Sequence, residues 1–391
     1  MKTTCASSLA YGKEAFATLG EVDVLEGRTM TASDLATTDI LAIRSTTKVT
    51  PDLLEGAPVR FVGTATIGID HLDTAYLERR GIPWTAAPGS NANSVGEYVA
   101  AALLALACRH DLTLQGRTVG IIGVGHVGSQ VARKARALGM KVLLNDPPRA
   151  RASGNDRPGL ELGPFTGLEE VLERADIVTL HVPLTESGPD ATVQMANSTF
   201  FDRMKSGSIF INAARGGIMN SEALLQAVIS GRIAHTIIDT WEQEPGIRTD
   251  LPARVDIGTP HIAGYSFDGK VNGTAMIYAA ACAALDITPS WHAADELPRP
   301  TVPRIALEAA GRRDEAVLHA VVRQVYDIES DAALLCDKIA ETPQDVAAIF
   351  DQLRGNYPVR REFPHTTVVI PDASPGLKAK VRDLGFHLGA S

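Results

Sequence analysis

The sequence predicts an α/β protein made of two successive series of parallel βα units, followed by a small α+β tail. Three observations predict it. Short apolar runs alternate with helical patterns from the N-terminus to about residue 285. A glycine turn, Gly123-Val-Gly125-His-Val-Gly128, joins one such run to a helical stretch in the second series. From Thr288 the composition changes, and Pro289, Pro298, Pro300 and Pro303 crowd a stretch that can be neither regular helix nor central strand.

In the first series Ile40–Ile43 runs into Arg-Ser-Thr-Thr-Lys (44–48), and Val59–Val62 into Gly-Thr-Ala-Thr-Ile-Gly-Ile-Asp (63–70). Ile82–Thr85 then enters Ala-Pro-Gly-Ser-Asn-Ala-Asn (87–93). Ser94, with Glu97 three residues on, has the capping-box spacing, and a strongly apolar helix follows to His110. The second series places strands at Thr118–Ile122, Lys141–Asn145, Ile177–His181, Ser208–Asn212, Thr236–Asp239 and Val255–Gly258. Helices at Ser129–Leu138 and at about 167–174, 199–204 and 221–229 alternate with them, so the sheet is expected to be mostly parallel. A helix at about 271–285 returns after His261, and the last ninety residues read as a small separate α+β unit.

Composition narrows the function classes. At 391 residues the chain exceeds one ordinary core, so two or three domains are expected. A net charge of −9 argues against a nucleic-acid or anionic-membrane surface. Cys5, Cys108, Cys282 and Cys336 lie far apart without metal or redox spacing, so no metal is expected and the thiols read as idle in a reducing compartment. No signal-peptide succession opens the chain, and its longest apolar stretch, Val99 to Cys108, is shorter than the about 20 residues a bilayer requires. The expected location is cytoplasmic.

The glycine turn carries the first chemical signal. Gly123, Gly125 and Gly128, with His126 and Val127 between them, allow a tight turn and close backbone approach at a helix N-terminus that attracts a pyrophosphate. Asp146 ends the next strand and is placed to accept from both adenosine ribose hydroxyls, which favours NAD over NADP. Arg149 stands close by, and an arginine can serve a 2′-phosphate.

The second signal is a set of three strings, each ending a buried-strand run: Asn-Ala-Ala-Arg-Gly (212–216), Asp-Thr-Trp-Glu-Gln-Glu-Pro (239–245) and Thr-Pro-His (259–261). In a parallel sheet that carboxyl edge is where ligands bind. Oxidising a 2-hydroxy acid requires a base for the hydroxyl proton, and an imidazole near pKa ~6.5 suits neutral pH. His261 is that base, Glu244 the carboxylate that orients it, and Arg215 the planar cation for the substrate carboxylate. Gly216 and Gly217 remove bulk where a nicotinamide would fit, and Asp239 is placed to meet its carboxamide or ribose. His181, His235 and His110 are the alternative bases.

Together these motifs resemble the D-isomer-specific 2-hydroxyacid dehydrogenases, over residues from about 35 to 285. The resemblance implies two Rossmann-like domains: a flavodoxin-like substrate (lid) domain, 1–94 with 266–287, and an NAD-binding Rossmann domain, 95–265. It implies Arg215, Glu244 and His261 as the triad. A narrower likeness lies in Arg-Ser-Thr-Thr-Lys-Val (44–49), Gly-Thr-Ala-Thr-Ile-Gly-Ile-Asp-His (63–71), Asn-Ala-Asn-Ser-Val (91–95), His-Ile-Ala-Gly-Tyr-Ser (261–266) and the tail strings Tyr-Asp-Ile (326–328) and Asn-Tyr-Pro-Val-Arg-Arg-Glu-Phe (356–363). These are similar to members that oxidise 4-phospho-D-erythronate on the bacterial route to pyridoxal 5′-phosphate. That likeness implies Ser45, Thr66 and Tyr265 as substrate-binding; Asp146, Val182, Ala213 to Arg215, Asp239 and Gly264 as NAD contacts; and 288–391 as a dimerisation domain, giving a homodimer. Lys48, beside the hydroxyls of Ser45, Thr46 and Thr47, suits a phosphate ester. Val182 stands where the family usually has threonine, and Ala214 where cysteine is usual. Two other readings share the triad. One is another member such as a 3-phosphoglycerate dehydrogenase, which the tail argues against. The other is an NAD(H)-sensing corepressor, whose disordered tail contrasts with the apolar one here.

Overall fold

The computed structural model describes residues 1–152, 162–293 and 297–390. It divides into two compact units, Met1–Asn91 with Tyr265–Arg299, and Ala92–Gly264 with Pro300–Ser391. The first holds a sheet of β1 (Lys2–Ala6), β2 (Glu21–Leu25), β3 (Ile40–Ile43), β4 (Phe61–Thr64) and β5 (Trp84–Thr85), ordered β2-β1-β3-β4-β5 and parallel throughout. This is the flavodoxin-like order. Every residue of β3 and β4 is buried, as a parallel strand covered on both faces requires. The helix Phe267–Ala284, capped by Ser266 Oγ accepting from Gly269 N–H, packs so closely on β4 that a Cβ at Gly63 would lie 2.9 Å from the Ile277 Cβ.

The second unit is built on β6 (Thr118–Ile122), β7 (Lys141–Asn145), β8 (Ile177–Leu180), β9 (Ser208–Asn212), β10 (Ile233–Ile238) and β11 (Ile257–Gly258). Their order is β11-β10-β9-β8-β6-β7, all parallel, so the winding reverses between β6 and β8. One row of register crosses the whole sheet: Asn145, Ile122, Leu180, Asn212, Ile238 and Gly258 stand level with their neighbours. The six connections that leave the carboxyl edge therefore start at one height.

The helix Ala92–Arg109 is buried from Ser94 to Ala107, as an alanine- and leucine-rich helix without a polar stripe must be. Cutting fully buried Leu104 to Ala would cost about 2–5 kcal/mol. The expected capping box at Ser94 does not form. The helix begins two residues earlier, and both Ser94 and Glu97 lie inside the protein. Tail residues supply the reason: Arg360 donates to Glu97 and to Ser94, so these side chains are drawn inward rather than back onto the helix end.

The tail comprises a parallel sheet of β12 (Arg304–Ala306), β13 (Thr367–Val369) and β14 (His387–Leu388), with helices Asp314–Val325, Ile328–Glu341, Val346–Gly355 and Pro375–Asp383. Val317, Leu318, Val321, Tyr326, Phe363 and Phe386 share one apolar cluster with Tyr98, Leu103 and Leu106. Among the described residues no helix is long and apolar enough to cross a membrane.

Candidate active site

The connection after β6 is shaped by its glycines. Gly123 has φ +88°, and a Cβ there would lie 2.6–2.7 Å from the backbone of His181 and Val182, at the start of the connection after β8. A Cβ at Gly128 would lie 2.0 Å from the Gly123 carbonyl oxygen, so the helix His126–Ala137 can reach the strand only with glycine there. Gly125 differs: nothing stands within 4 Å of its missing Cβ, and the helix N-terminus is left open. Glycine at 123 and 128 thus serves protein packing, and at 125 it leaves the space a pyrophosphate needs. His126 is exposed and Val127 half-buried on the first turn.

Asp146 follows β7 and is half-buried. One oxygen accepts from Val124 N–H at 2.8 Å and the other from Arg149 N–H at 3.0 Å, which ties it to the glycine loop. Each carboxylate oxygen keeps a lone pair for a ribose hydroxyl. The Arg149 guanidinium donates to the Val124 carbonyl and lies over the Phe165 ring, 5.6 Å from its centroid. The arginine is thus engaged by the loop itself. Open space at the helix N-terminus beside a carboxylate with free lone pairs fits an unphosphorylated adenosine ribose.

After β8, His181 is a poor base. Burial pushes its imidazole down to about 3, and its Nδ1 is buried without a partner, while Nε2 meets Thr179 Oγ1 at 2.8 Å. Val182 beside it is half-buried. His110 and His235 are at the other end of the sheet, His110 beyond the C-terminus of the helix Ala92–Arg109 and His235 near the start of β10.

The three strings from β9, β10 and β11 leave adjacent strand ends and latch to one another. Asn212 accepts from Ala214 N–H and donates to the carbonyls of Arg215 and Thr240. A Cβ on Gly216 would lie 1.7 Å from the Trp241 carbonyl oxygen, so this glycine lets two loops close on each other. That is a different reason from the room for nicotinamide read in the sequence; Gly217 faces the Leu184 side chain. Ala213 is half-buried and Ala214 buried, and Arg215 is half-buried with Nη1 donating to the Ala214 carbonyl at 2.8 Å. Trp241 Nε1–H donates to the Thr259 carbonyl at 2.8 Å, closing the second loop on the third.

Glu244 and His261 meet through this latch. One Glu244 oxygen accepts from Trp241 N–H at 2.7 Å, and the other lies 2.6 Å from His261 Nδ1. Burial acts to raise the Glu244 carboxyl, but the His261 charge, its hydrogen bond and the Trp241 N–H outweigh it and hold the group below the ordinary carboxylate range. An ionised Glu244 can only accept, so His261 carries its proton on Nδ1 and presents Nε2 as the base. The His261 backbone is in the left-handed region at φ 55°, a conformation other residues must enforce.

Asp239 enforces it. It is 1% exposed, and its carboxylate accepts from Thr259 Oγ1–H at 2.6 Å, Ile262 N–H at 2.8 Å and Ala263 N–H at 3.0 Å. Its carbonyl accepts from His261 N–H at 2.8 Å. Its carboxylate is spent on the loop that carries His261. Burial raises its pKa, against the pull of His261 and these donors. Tyr98, which no sequence pattern singled out, and Ser94, read in the sequence only as a helix cap, also hold this loop, through Thr259 Oγ1 and the Ala263 carbonyl. Gly264 ends it, half-buried.

In the first unit Ile43 and Thr64 stand level at the carboxyl edge, so the connections that leave β3 at Arg44 and β4 at Ala65 start side by side. Ser45 and Lys48 are exposed, and the Thr46 and Thr47 hydroxyls are buried without hydrogen-bond partners. Thr66 Oγ1 donates to the Gly68 carbonyl and meets Thr64 Oγ1. Tyr265 is flanked by two cations: the Arg44 guanidinium lies 5.6 Å and Lys270 Nζ 4.5 Å from its ring centroid. The sequence reading passed over Arg44 and Lys270. Arg44 was readable as the first residue beyond β3, whereas Lys270 lies far along the chain from that string.

Residues 104–263 match the family model of the D-isomer specific 2-hydroxyacid dehydrogenase, NAD binding domain, and residues 297–385 match a domain of unknown function (DUF3410). The chain is 46% identical to the erythronate-4-phosphate dehydrogenase of Salinibacter ruber over 91% of both chains. It is 43% identical to that of Salmonella arizonae over 99% of this chain and 98% of the relative. Among solved structures, D-lactate dehydrogenase from Aquifex aeolicus complexed with NAD and lactic acid superposes with a TM-score of 0.60 at 26% identity, covering 73% of this chain and 95% of that one.

Proposed function

Because the chain belongs to the erythronate-4-phosphate dehydrogenase family, we propose that Arg215, Glu244 and His261 are its catalytic residues, with the 2.6 Å contact between Glu244 and His261 as the observation that carries the assignment. The reaction is the NAD-dependent oxidation of 4-phospho-D-erythronate to (R)-3-hydroxy-2-oxo-4-phosphooxybutanoate, a step toward pyridoxal 5′-phosphate. When bound, NAD supplies the acceptor for the hydride that leaves the 2-carbon. Arg215 holds the substrate carboxylate through its planar fork. His261 Nε2 takes the hydroxyl proton, and Glu244 stabilises the imidazolium so formed. Asp239, Tyr98 and Ser94 keep the His261 loop in its left-handed conformation.

In this reading the open helix N-terminus at Gly125, with His126 and Val127 on its first turn, takes the pyrophosphate, Gly123 and Gly128 allow the loop that forms it, and Asp146 takes the ribose hydroxyls. Val182, Ala213, Ala214, Asp239 and Gly264 would hold the rest of NAD, Asp239 through the His261 loop that its carboxylate secures. Ser45, Lys48, Thr66 and Tyr265 bind the phosphorylated substrate, with Arg44 and Lys270 adding positive charge. The unpartnered Thr46 and Thr47 hydroxyls support a phosphate reading of that string. NADH formation with 4-phospho-D-erythronate, compared with 3-phosphoglycerate and D-lactate, tests the substrate. A rate no higher than with either alternative overturns it.

The tail is proposed to pair two copies of the chain into a homodimer. Support comes from its exposed apolar side chains, Leu334, Val359 and Leu388, and from the short edge strand β14. Light scattering on V359D and L388D tests this within the full chain, since removing the tail would strip the helix Ala92–Arg109 of its cover. Monomers are expected, and an unchanged dimer in both variants sinks the proposal.

A further inference from the structure

At the amino edge of the six-stranded sheet, opposite the loops just described, two histidines and an aspartate from three different elements meet. His110 follows the helix Ala92–Arg109, His235 sits near the start of β10, and Asp256 immediately precedes β11. Their candidate ligand atoms lie within 4.8 Å of one another. His110 Nε2 is 3.0 Å and His235 Nδ1 3.1 Å from the same atom, Asp256 Oδ1, and the two imidazole centroids are 4.1 Å apart. We propose that His110, His235 and Asp256 form a binding site for one divalent zinc-like cation, separate from the catalytic edge.

The donor set is right for such an ion. Two imidazole nitrogens and one carboxylate oxygen are ordinary zinc ligands, and bonds of about 2.0–2.1 Å in a tetrahedron place neighbouring donors about 3.3 Å apart. The two nitrogen–oxygen distances are close to that edge and the two nitrogens lie within 4.8 Å of each other, so a cation that replaces the imidazole protons now pointing at Oδ1 has to draw the two rings together. The carboxylate is already aimed. Asp256 Oδ2 accepts from Thr236 N–H at 2.9 Å, the kind of outer contact that fixes a ligand's orientation. The His110 side chain keeps 33% of its surface exposed, which leaves an entry path and a fourth position for water. The adjacent cation, Arg109, donates to the Asp256 main-chain carbonyl and is paired with Glu329 at 3.1 Å, so its charge is partly matched.

The bound ion would join the end of the buried helix to strands β10 and β11. Those strands carry Asp239 and His261 at their other ends, so the site acts on stability rather than in the hydride transfer. The preference among first-row ions follows imidazole and carboxylate chemistry, and zinc is the probe of choice, with cobalt as its spectroscopic stand-in.

The test uses the full chain, stripped with chelator and titrated with zinc chloride by calorimetry, with cobalt absorption in parallel. One equivalent is expected to bind, cobalt is expected to show tetrahedral visible bands, and the melting temperature is expected to rise with zinc. H110A removes an exposed ligand, and D256N keeps the shape and the Thr236 contact. Each is expected to weaken binding by roughly 10–100-fold or more and to abolish the thermal shift. Absence of saturable binding to the natural chain overturns the proposal. So does binding of equal strength in both variants, which would place the ion elsewhere, for example on His261. Circular dichroism and NADH titration show whether the variants are folded.

Discussion

Arg360, from the tail, places Nη1 2.8 Å from a carboxylate oxygen of Glu97, in the helix that opens the second unit, and both side chains are buried. Its Nη2 donates to Ser94 Oγ at 2.6 Å, and Ser94 donates in turn to the Ala263 carbonyl, two residues beyond His261. Burial pushes the Glu97 carboxyl up to about 7, against the Arg360 charge and the Phe363 N–H that favour its ionised form. Replacing Arg360 with Met is expected to destabilise the chain by about 3–5 kcal/mol in urea unfolding, because Glu97 and Ser94 lose a buried partner and Glu97 has to take up a proton to stay inside. Adding E97Q should recover most of that loss. An R360M chain as stable as the natural one would show that the pair contributes nothing.

His261→Asn removes the base but keeps a hydrogen-bond donor toward Glu244. Turnover is expected to fall by about 10²–10⁴-fold, while NADH affinity measured by fluorescence stays nearly the same. Loss of NADH binding in parallel would instead mark the residue as structural.

Glu244→Gln separates orientation from charge. The carboxyl is held below its ordinary value, so its contribution to stability is present above about pH 4.3, its unfolded value, and disappears as pH falls through the folded value. E244Q should therefore lose less stability on acidification than the natural chain. The pH profile of turnover should also move, since the imidazolium formed in the reaction loses its counter-charge. Unchanged acid sensitivity together with an unchanged profile would contradict the pairing.

Burial of His181 makes a second acid-sensitive element with the same sign. Its pKa is depressed to about 3, so folding excludes a proton that the unfolded chain takes up near pH 6.5. Stability should be fully present above pH 6.5 and fall toward pH 3, with a slope of at most about 1.4 kcal/mol per pH unit from this group. H181Q is expected to flatten thermal unfolding over that window, whatever its effect on the absolute melting temperature.

Arg44→Met tests the charge beside Tyr265. Loss of one cation at a phosphate should raise KM for 4-phospho-D-erythronate by about tenfold or more, with a smaller change in kcat and none in KM for NAD. An equal fall in kcat at unchanged KM would place Arg44 in the reaction step rather than in binding.

Much of the candidate site was legible because its residues are tied to strand ends. Buried parallel strands read as continuous apolar runs, so the first polar residue after each run marks the carboxyl edge. Arg215, Glu244, His261 and Asp146 were singled out because each follows such a run within a few residues, and the glycine turn because it joins such a run to a helix. For Gly216 the structure supplies a reason that the sequence could not show: only the fold brings Trp241 against it. Ser94 and Glu97 matched a local capping pattern and were captured instead by Arg360, 266 and 263 residues away. His110 and His235 were read as spare bases, and Asp256 was passed over. Their distances along the chain, 146 and 21 residues to Asp256, match no metal-ligand spacing.

By itself the sequence determined the succession of βα units, the glycine turn and the charged residue ending each strand, since periodicity and local turn chemistry depend on neighbours in the chain. The tertiary structure alone decided which of those ends are adjacent. Strand order sets β9, β10 and β11 side by side, and one row of register from Asn145 to Gly258 starts every loop at the same height. Register is fixed by packing between distant segments, so the 2.6 Å contact of Glu244 with His261, and the work of Asp239, Tyr98 and Arg360 behind it, arise only when those segments pair.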